Sequence, residues 1–465
     1  MKKLTTLLLT ITAICAAHIV DAQKPDISVT LFRDSALAST WCPYDSTLVA
    51  YNLLLPNGYY AIYIATIGPG NTLLNERCFT CGDTALPGKN VAQPIFHPSG
   101  KYMLFTAEHA THPGSSTNSI PGIGQYNDMY VVTMDGQKTY RLVHEPDTGL
   151  SGMIETYFSP DGSQVMWDEQ TYPVGLAGKQ EFGYWVVKTA PFIMDDTVRG
   201  PYIDSARIKV LQPGGVNAFN EPYGWSPDGS KIIFASDYNQ FWVWDDQIYT
   251  MDTSGNNLKQ MSSTAKNYPY CEHAFYSTDG KHIVWMTNED CDTGSSVGGD
   301  DWWIMDSDAS NQMRLTYFND TTSAYWTGSV HINCHGSFSP DSRQFIGDVT
   351  GSKPVQTDPA ASIGAAYIVT LNYLATGIGN TLTDAPLKCT LYPNPASDVM
   401  KISLGENTDL AHYSIFDITG SQVSDGKFQG PSSSIDVSNF SSGIYFLRIM
   451  TGSDRIKQRF IVVAK

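Results

Sequence analysis

The sequence predicts an all-β protein, a six-bladed β-propeller followed by a small C-terminal β-sandwich. Three features carry that expectation. An aromatic-Ser-Pro-Asp-Gly phrase recurs between residues 41 and 338, aromatics make up 12% of the chain amid many Gly, Pro and Asp turn signals, and differently patterned strands follow where the phrase stops.

The phrase appears as FHPSGKYMLFTAE from Phe96, FSPDGSQVMWDE from Phe158, WSPDGSKIIFASD from Trp225, YSTDGKHIVWMTN from Tyr276 and FSPDSRQFIGDV from Phe338. A degenerate copy, WCPYDSTLVAYNL, begins at Trp41. In each, an aromatic ends one strand, Pro-Asp-Gly turns the chain, and an alternating segment such as Lys231-Ile232-Ile233-Phe234 returns as the next strand. A third and fourth strand follow, as in DQIYTMDTSGNNLKQMS from Asp246 or DMYVVTMDGQKTYRLV from Asp128. Four antiparallel strands make one propeller blade. The copies lie 55, 62, 67, 51 and 62 residues apart, more than the ~40–45 of a bare blade, which puts the excess in loops. The last copy supplies a third strand at Ala366–Leu371 and no fourth, whereas Ile27–Phe32 is a strand lying before the first copy. The N-terminal strand is therefore expected to complete the final blade, which protects the edges an open array would expose.

Residues 1–22 read as a secretory signal: Lys2 and Lys3, an apolar stretch from Leu4 to Ala17, then Val20-Asp21-Ala22 before Gln23. No later segment approaches the ~20 apolar residues of a membrane span. Without Lys2, Lys3 and Asp21, 27 of the 29 basic and 45 of the 46 acidic residues remain, a net charge of −18 that repels phosphate backbones and excludes nucleic acid as a partner. Seven cysteines remain beyond the signal, Cys42, Cys78, Cys81, Cys271, Cys291, Cys334 and Cys389, an odd number that leaves a thiol unpaired within the chain. CFTC at 78–81 has no second CxxC and no βαβ context, so it reads as a structural pair rather than a redox or zinc motif.

On these repeats, residues 23–374 resemble TolB-like, WD-repeat-like propellers, whose fold the phrase specifies and whose function it does not. ATGIGNTLTDAP marks a linker over 375–386. From 387 to 465 come LYPNPASDVMKISL, a turn with Asp417 and Gly420, the Gly443-Ile444-Tyr445 strand and the basic strand IKQRFIVVAK. That order resembles the C-terminal sorting domain of the type IX secretion system. The resemblance implies a Bacteroidetes-like signal read by an outer-membrane translocon and usually removed, with the cargo secreted or attached to the outer cell surface.

Propeller geometry places the innermost strand of each blade along a central channel. Three residues before each repeat aromatic stand Ala38, Gln93, Glu155, Pro222, His273 and His335, with Glu221 one residue earlier in the fourth copy. Four of those six positions are polar and able to bind a metal or polar ligand. His331 lies four residues before His335 in the same strand entry. Imidazoles with a carboxylate or amide suit a divalent transition metal, so His273, His331 and His335 are the candidate metal ligands, with Gln93, Glu155 and Glu221 as ligand-binding groups. YCEHAFYSTDG and HINCHGSFSPD resemble segments of oligogalacturonate lyases, propellers that hold manganese with histidines and a glutamine. His335 fits the second member of that family's His-x-His pair, Asn333 stands in place of the first, and His273 fits the family's single histidine. A manganese-like ion in the channel is what this resemblance implies.

The loops at 109–125, 238–244 and 288–303 are long and aromatic. Trp242, Trp244, Trp302, Trp303 and Trp326 suit stacking on sugar rings or packing against a peptide. The acidic run NEDCDTGSSVGGDD lacks the spacing of a calcium loop and reads as a solvated turn. With no GxSxG elbow, serine catalysis has no support. The expected function is an exported or surface propeller that binds a glycan, peptide or envelope component at its channel face, carbohydrate binding foremost, rather than an enzyme; the alternative is a metal-dependent, oligogalacturonate-lyase-like polysaccharide lyase.

Overall fold

The computed structural model describes residues 25–111, 115–146, 151–172, 184–194, 196, 198–215, 218–238, 246–263, 270–290, 298–326, 330–351, 364–372, 390–404, 411–417, 422–451 and 454–463. The expected secretory signal, the linker over 375–386, Cys291, Cys389, Trp242 and Trp244 lie outside them. The chain divides into two units, 1–378 and 379–465.

Among the described residues, the first unit holds six antiparallel sheets. Their innermost strands are Ala36–Trp41, Val91–Phe96, Thr156–Phe158, Asn220–Trp225, Cys271–Tyr276 and His331–Phe338. Each touches the next, and the last touches the first, so the sheets form a closed ring of six blades. Five blades have four strands, and the third adds an extra outer strand. Ile27–Asp34 is the outer strand of the sixth blade, paired antiparallel with Ala365–Leu371.

The repeated phrase folds as its chemistry requires. In the third blade, Asp161 Oδ1 accepts bonds from Ser159 Oγ at 2.6 Å and Ser163 N at 3.0 Å, while Gly162 takes φ +72°. The fourth blade repeats this with Asp228, Ser226, Ser230 and Gly229. Asp fixes the turn and Gly supplies the left-handed residue without a Cβ clash.

The core lies between blades. The faces of the fifth and sixth sheets interlock through Phe275, Met286, Trp302, Phe318, Phe338, Phe345 and Val369. Trp302 is fully buried, edge-on to Phe345 at 5.3 Å and to Phe318 at 6.0 Å. This corrects the expectation that Trp302 offers a stacking face: strand alternation turns it inward, where Gly347 leaves space for its ring.

The second unit is a β-sandwich. Thr390–Tyr392, Val399–Ser403 and Ser432–Asp436 form one sheet, and Gln422–Phe428, Ala411–Phe416, Gly443–Thr451 and Asp454–Val462 the other. Met400, Ile402, Ile415, Ile435, Leu447, Ile449 and Phe460 fill the space between them.

Truncating Trp302→Ala leaves a cavity at the fifth–sixth blade interface. Denaturant unfolding of the mature protein is expected to show a loss of about 3–5 kcal/mol, whereas a loss under 1 kcal/mol contradicts this placement.

Candidate functional site

Just before the repeat aromatic, five of the six inner strands slip register against their neighbours, at Leu37/Thr40, Ala92/Ile95, Pro222/Trp225, Glu272/Phe275 and Asn333/Gly336. These bulges re-aim side chains into the channel. Ala38, Gln93 and His273 adopt φ of +48°, +57° and +49°, a left-handed conformation that costs about 1–2 kcal/mol for a residue with a Cβ. Polar side chains hold the bulged backbone in place. Asn52 Oδ1 accepts from Gln93 N at 2.9 Å, Asp168 Oδ1 from Ile154 N and Glu155 N at 2.8 and 2.9 Å, and Asp348 from Ala38 N and Ser39 N at 3.1 and 3.0 Å.

The geometry brings Gln93, Glu155, His273 and His335 together from four blades. Gln93 Nε2 lies 2.6 Å from Glu155 Oε1 and 2.9 Å from His335 Nε2, and that imidazole nitrogen also contacts Glu155 Oε1. The His273 and His335 rings are 4.4 Å apart. Ligand atoms of Glu155, His273 and His335 all lie within 4.8 Å of one another. Gln93, Glu155 and His273 are buried.

Burial sets the electrostatics. It disfavours a charge on His335, yet the facing Glu155, with Asp348 and Glu272 behind, outweighs it and raises the imidazole to about 9. His273 is driven the other way, by burial and by the nearby His335, and stays neutral. Burial lifts Glu272 to about 7 and Asp348 to about 6, and holds Glu221 and Asp168 well above the usual carboxylate range.

The hydrogen bonds at the centre conflict. With Nε2 protonated, His335 donates to Glu155 but meets the Gln93 amide donors at 2.9 Å. Turning the amide over would set its oxygen against the Glu155 carboxylate at 2.6 Å. Among the described residues, Gln93 Oε1 and His273 Nδ1 have no hydrogen-bond partner although both are buried. A cation taking lone pairs from Gln93, Glu155 and the two imidazoles would relieve this crowding once His335 gave up its proton, and an amide, a carboxylate and two imidazoles suit a divalent transition metal.

Above this cluster a cavity of about 240 Å³ runs along the inner strands towards the Pro-Asp-Gly turns. All six repeat aromatics, Trp41, Phe96, Phe158, Trp225, Tyr276 and Phe338, line it, together with Tyr157 and Tyr223. The expected ligand face was the opposite one. There, the segment around the Ser116–Asn118 turn pairs with the entry to the third blade, and Ile120 packs on Leu37 and Tyr60.

Other expected site residues stand apart. His331 is corrected as a partner of His273 and His335: the group whose ligand atoms lie within 4.8 Å of one another is Glu155, His273 and His335, and the His331 ring packs on Phe318 instead, at 6.5 Å. Asn333 is buried against Thr316. Glu221 accepts from Tyr223 Oη at 3.0 Å. Trp303 packs on Trp285 at 6.1 Å, and neither it nor Trp326 lines the channel cavity. Cys78 and Cys81 form a disulfide, the structural role expected of CFTC. Asp290 and Asp301, from the acidic run, both face Arg314. Asp348 was missed: it sits within FIGDV, an ordinary second strand, and only ring closure brings it behind His335, 4.0 Å away.

Residues 390–463 match the family described as the secretion system C-terminal sorting domain. The protein is thus exported by type IX secretion to the cell surface or extracellular space. No curated protein sequence matches the chain. Among solved structures, it is similar to an oligogalacturonate lyase in complex with manganese, at 12% identity and TM-score 0.40 over 75% of this chain and 91% of that one. It is also similar to a fungal alcohol oxidase of the AA5 family in complex with copper, at 10% identity and TM-score 0.42 over 94% and 98%. Prolyl oligopeptidase B from Galerina marginata aligns at 10% identity and TM-score 0.38; the chain covers 47% of that protein, with 90% of its own length aligned.

In chelator, His335, Glu272 and Asp348 each hold a proton more tightly folded than unfolded, so what they contribute is present at low pH and lost as pH rises through about 6, 7 and 9. His273 acts oppositely, but only as pH falls below its ordinary value of 6.5. The melting temperature of metal-free protein is therefore expected to fall from pH 6.5 to 9.5, with a shallower slope in His335→Gln; a flat profile in both proteins contradicts the buried network.

Proposed function

We propose that the exported propeller is a glycan-binding module of the TolB-like kind, in which Gln93, Glu155, His273 and His335 hold a divalent transition metal at the floor of the channel cavity. The observation that carries this reading is the crowding of lone-pair donors around one point, with Gln93 Oε1 and His273 Nδ1 left unpartnered. Such a metal would supply a Lewis-acidic position for a hydroxyl or carboxylate oxygen.

The walls favour a sugar. Trp41, Trp225, Tyr157, Tyr223 and Tyr276 line the cavity above a polar floor, and aromatic walls with a few polar groups are the combination that suits a sugar ring and its hydroxyls. At about 240 Å³ the cavity is smaller than the ~300–1,000 Å³ of most small-molecule sites, so it takes the end of a chain rather than its middle. The chain's negative charge disfavours acidic polymers at long range, while a local cation reverses that preference at the floor.

The same four side chains support a second reading, a metal-dependent polysaccharide lyase. Ultraviolet absorbance of unsaturated uronate products separates the two: release from oligogalacturonides supports the lyase, and binding without release supports the module.

In equilibrium dialysis of the mature protein against Mn²⁺, His335→Gln and Glu155→Gln are each expected to lose one bound equivalent, or at least tenfold in affinity. Retention of that ion by both variants refutes the channel site. On a glycan array, Trp225→Ala is expected to weaken binding about threefold to tenfold with metal content unchanged; full binding by this variant contradicts the cavity as the ligand site.

A further inference from the structure

A second cluster lies in the second blade, away from the channel. His109 follows the strand Tyr102–Glu108, Asp128 lies in Asn127–Thr133, and His144 follows Thr139–Val143, so three successive strands of one sheet deliver one ligand each. His109 Nε2 is 2.5 Å from Asp128 Oδ1, and His144 Nδ1 is 3.1 and 3.0 Å from the two Asp128 oxygens. The ligand atoms of all three lie within 4.8 Å of one another. His109 and Asp128 are buried at 3% and 1% exposure, while the His144 side chain is 44% exposed and leaves an entry path.

The local hydrogen bonding is inconsistent in the same way as in the channel. His144 Nδ1 must donate to reach Asp128, yet Arg141 Nη1 approaches that nitrogen at 3.4 Å and needs it as an acceptor. One nitrogen cannot do both. Arg141 also reaches Asp128 Oδ2 at 3.3 Å from a half-exposed side chain that is free to turn to solvent. Glu145 N donates to Asp128 Oδ1 at 2.8 Å, which orients the carboxylate from behind as a second layer around a metal ligand does.

We propose that His109, Asp128 and His144 form a second binding site for a divalent transition metal, with two imidazole nitrogens, one carboxylate and at least one position open to water. Two nitrogens and an oxygen suit zinc or its neighbours better than calcium or magnesium. The role that follows is structural. His109 N bonds Tyr126 O at 2.9 Å, Tyr126 N bonds Ser151 O at 2.7 Å, and Met153 N bonds Gly124 O at 2.9 Å. A metal on His109 therefore fixes the segment that straps the second blade to the entry of the third, two residues before Glu155.

The test uses the mature full chain stripped with chelator, dialysed against Zn²⁺ and assayed for bound metal by mass spectrometry, with circular dichroism confirming the fold. Wild type is expected to hold two equivalents, His144→Gln one, His335→Gln one, and the double variant none. Asp128→Asn is the second variant for this cluster and is expected to lose the same equivalent as His144→Gln. Co²⁺ loading gives an independent readout: visible absorption should drop in His144→Gln and the remainder vanish in the double variant. If His144→Gln and Asp128→Asn keep the wild-type metal content, the second site is wrong. A single equivalent lost in His335→Gln alone also overturns it while leaving the channel reading intact, and a single equivalent lost in His144→Gln alone does the reverse.

Discussion

Ring closure is the constraint on which the rest depends. The sixth sheet is completed by the first strand of the chain, Ile27–Asp34, paired along Ala365–Leu371. Asp348 reinforces the seam by accepting the backbone N–H groups of Ala38 and Ser39 from the first blade, and Trp41 N donates to Ser337 Oγ at 2.5 Å. Because the sheets are radial, closing the seam also fixes the distance across the channel. His335 on the sixth blade then meets Gln93 on the second and Glu155 on the third, residues separated by 242 and 180 positions.

The same closure determines the electrostatics. Asp348 accepts the seam N–H groups with both oxygens, and the one that takes Ala38 N also stands 4.0 Å from His335 Nδ1, so the residue that shuts the ring also helps keep that imidazole charged in the absence of a cation. Around it, Glu155, Asp168, Glu221 and Glu272 are nearly or fully buried. Burying so many carboxylates destabilises a protein unless protons or cations accompany them. Raised affinities for protons at Asp168, Glu221 and Glu272 are one expression of that demand, and the metal proposed for the Gln93–Glu155–His273–His335 cluster would be another. The positive φ of Gln93 and His273 belongs to the same pattern, strain at the positions whose side chains converge.

Much of this was legible in the sequence. The aromatic-Ser-Pro-Asp-Gly turns mark the hairpins, their number marks the blades, and the stray strand at Ile27–Phe32 points to the closure. Counting three residues back from each aromatic places Gln93, Glu155, His273 and His335 together because equivalent positions of a radial repeat share one depth in the channel. Counting fails where the chain departs from uniform spacing. His331 is close to His335 in number, but its ring packs on Phe318 rather than joining the channel cluster. Trp302 has the composition of a binding residue and the alternation of a core one, and alternation decides. Asp348 and the cluster of His109, Asp128 and His144 have no sequence signal, since each depends on which strand ends tertiary pairing sets side by side. The cavity lined by the repeat aromatics has no sequence signal either: each aromatic marks the end of an inner strand, and only ring closure brings all six to one space.

The most direct test is anomalous diffraction from crystals of the mature protein soaked in Mn²⁺. The account predicts a peak in the channel at coordination distance from nitrogens of His273 and His335 and an oxygen of Glu155, with the Gln93 amide oxygen turned towards it and Ile27–Asp34 in place on the sixth blade. A channel without a peak, in which Glu155 and His335 remain hydrogen-bonded directly to each other, would contradict it.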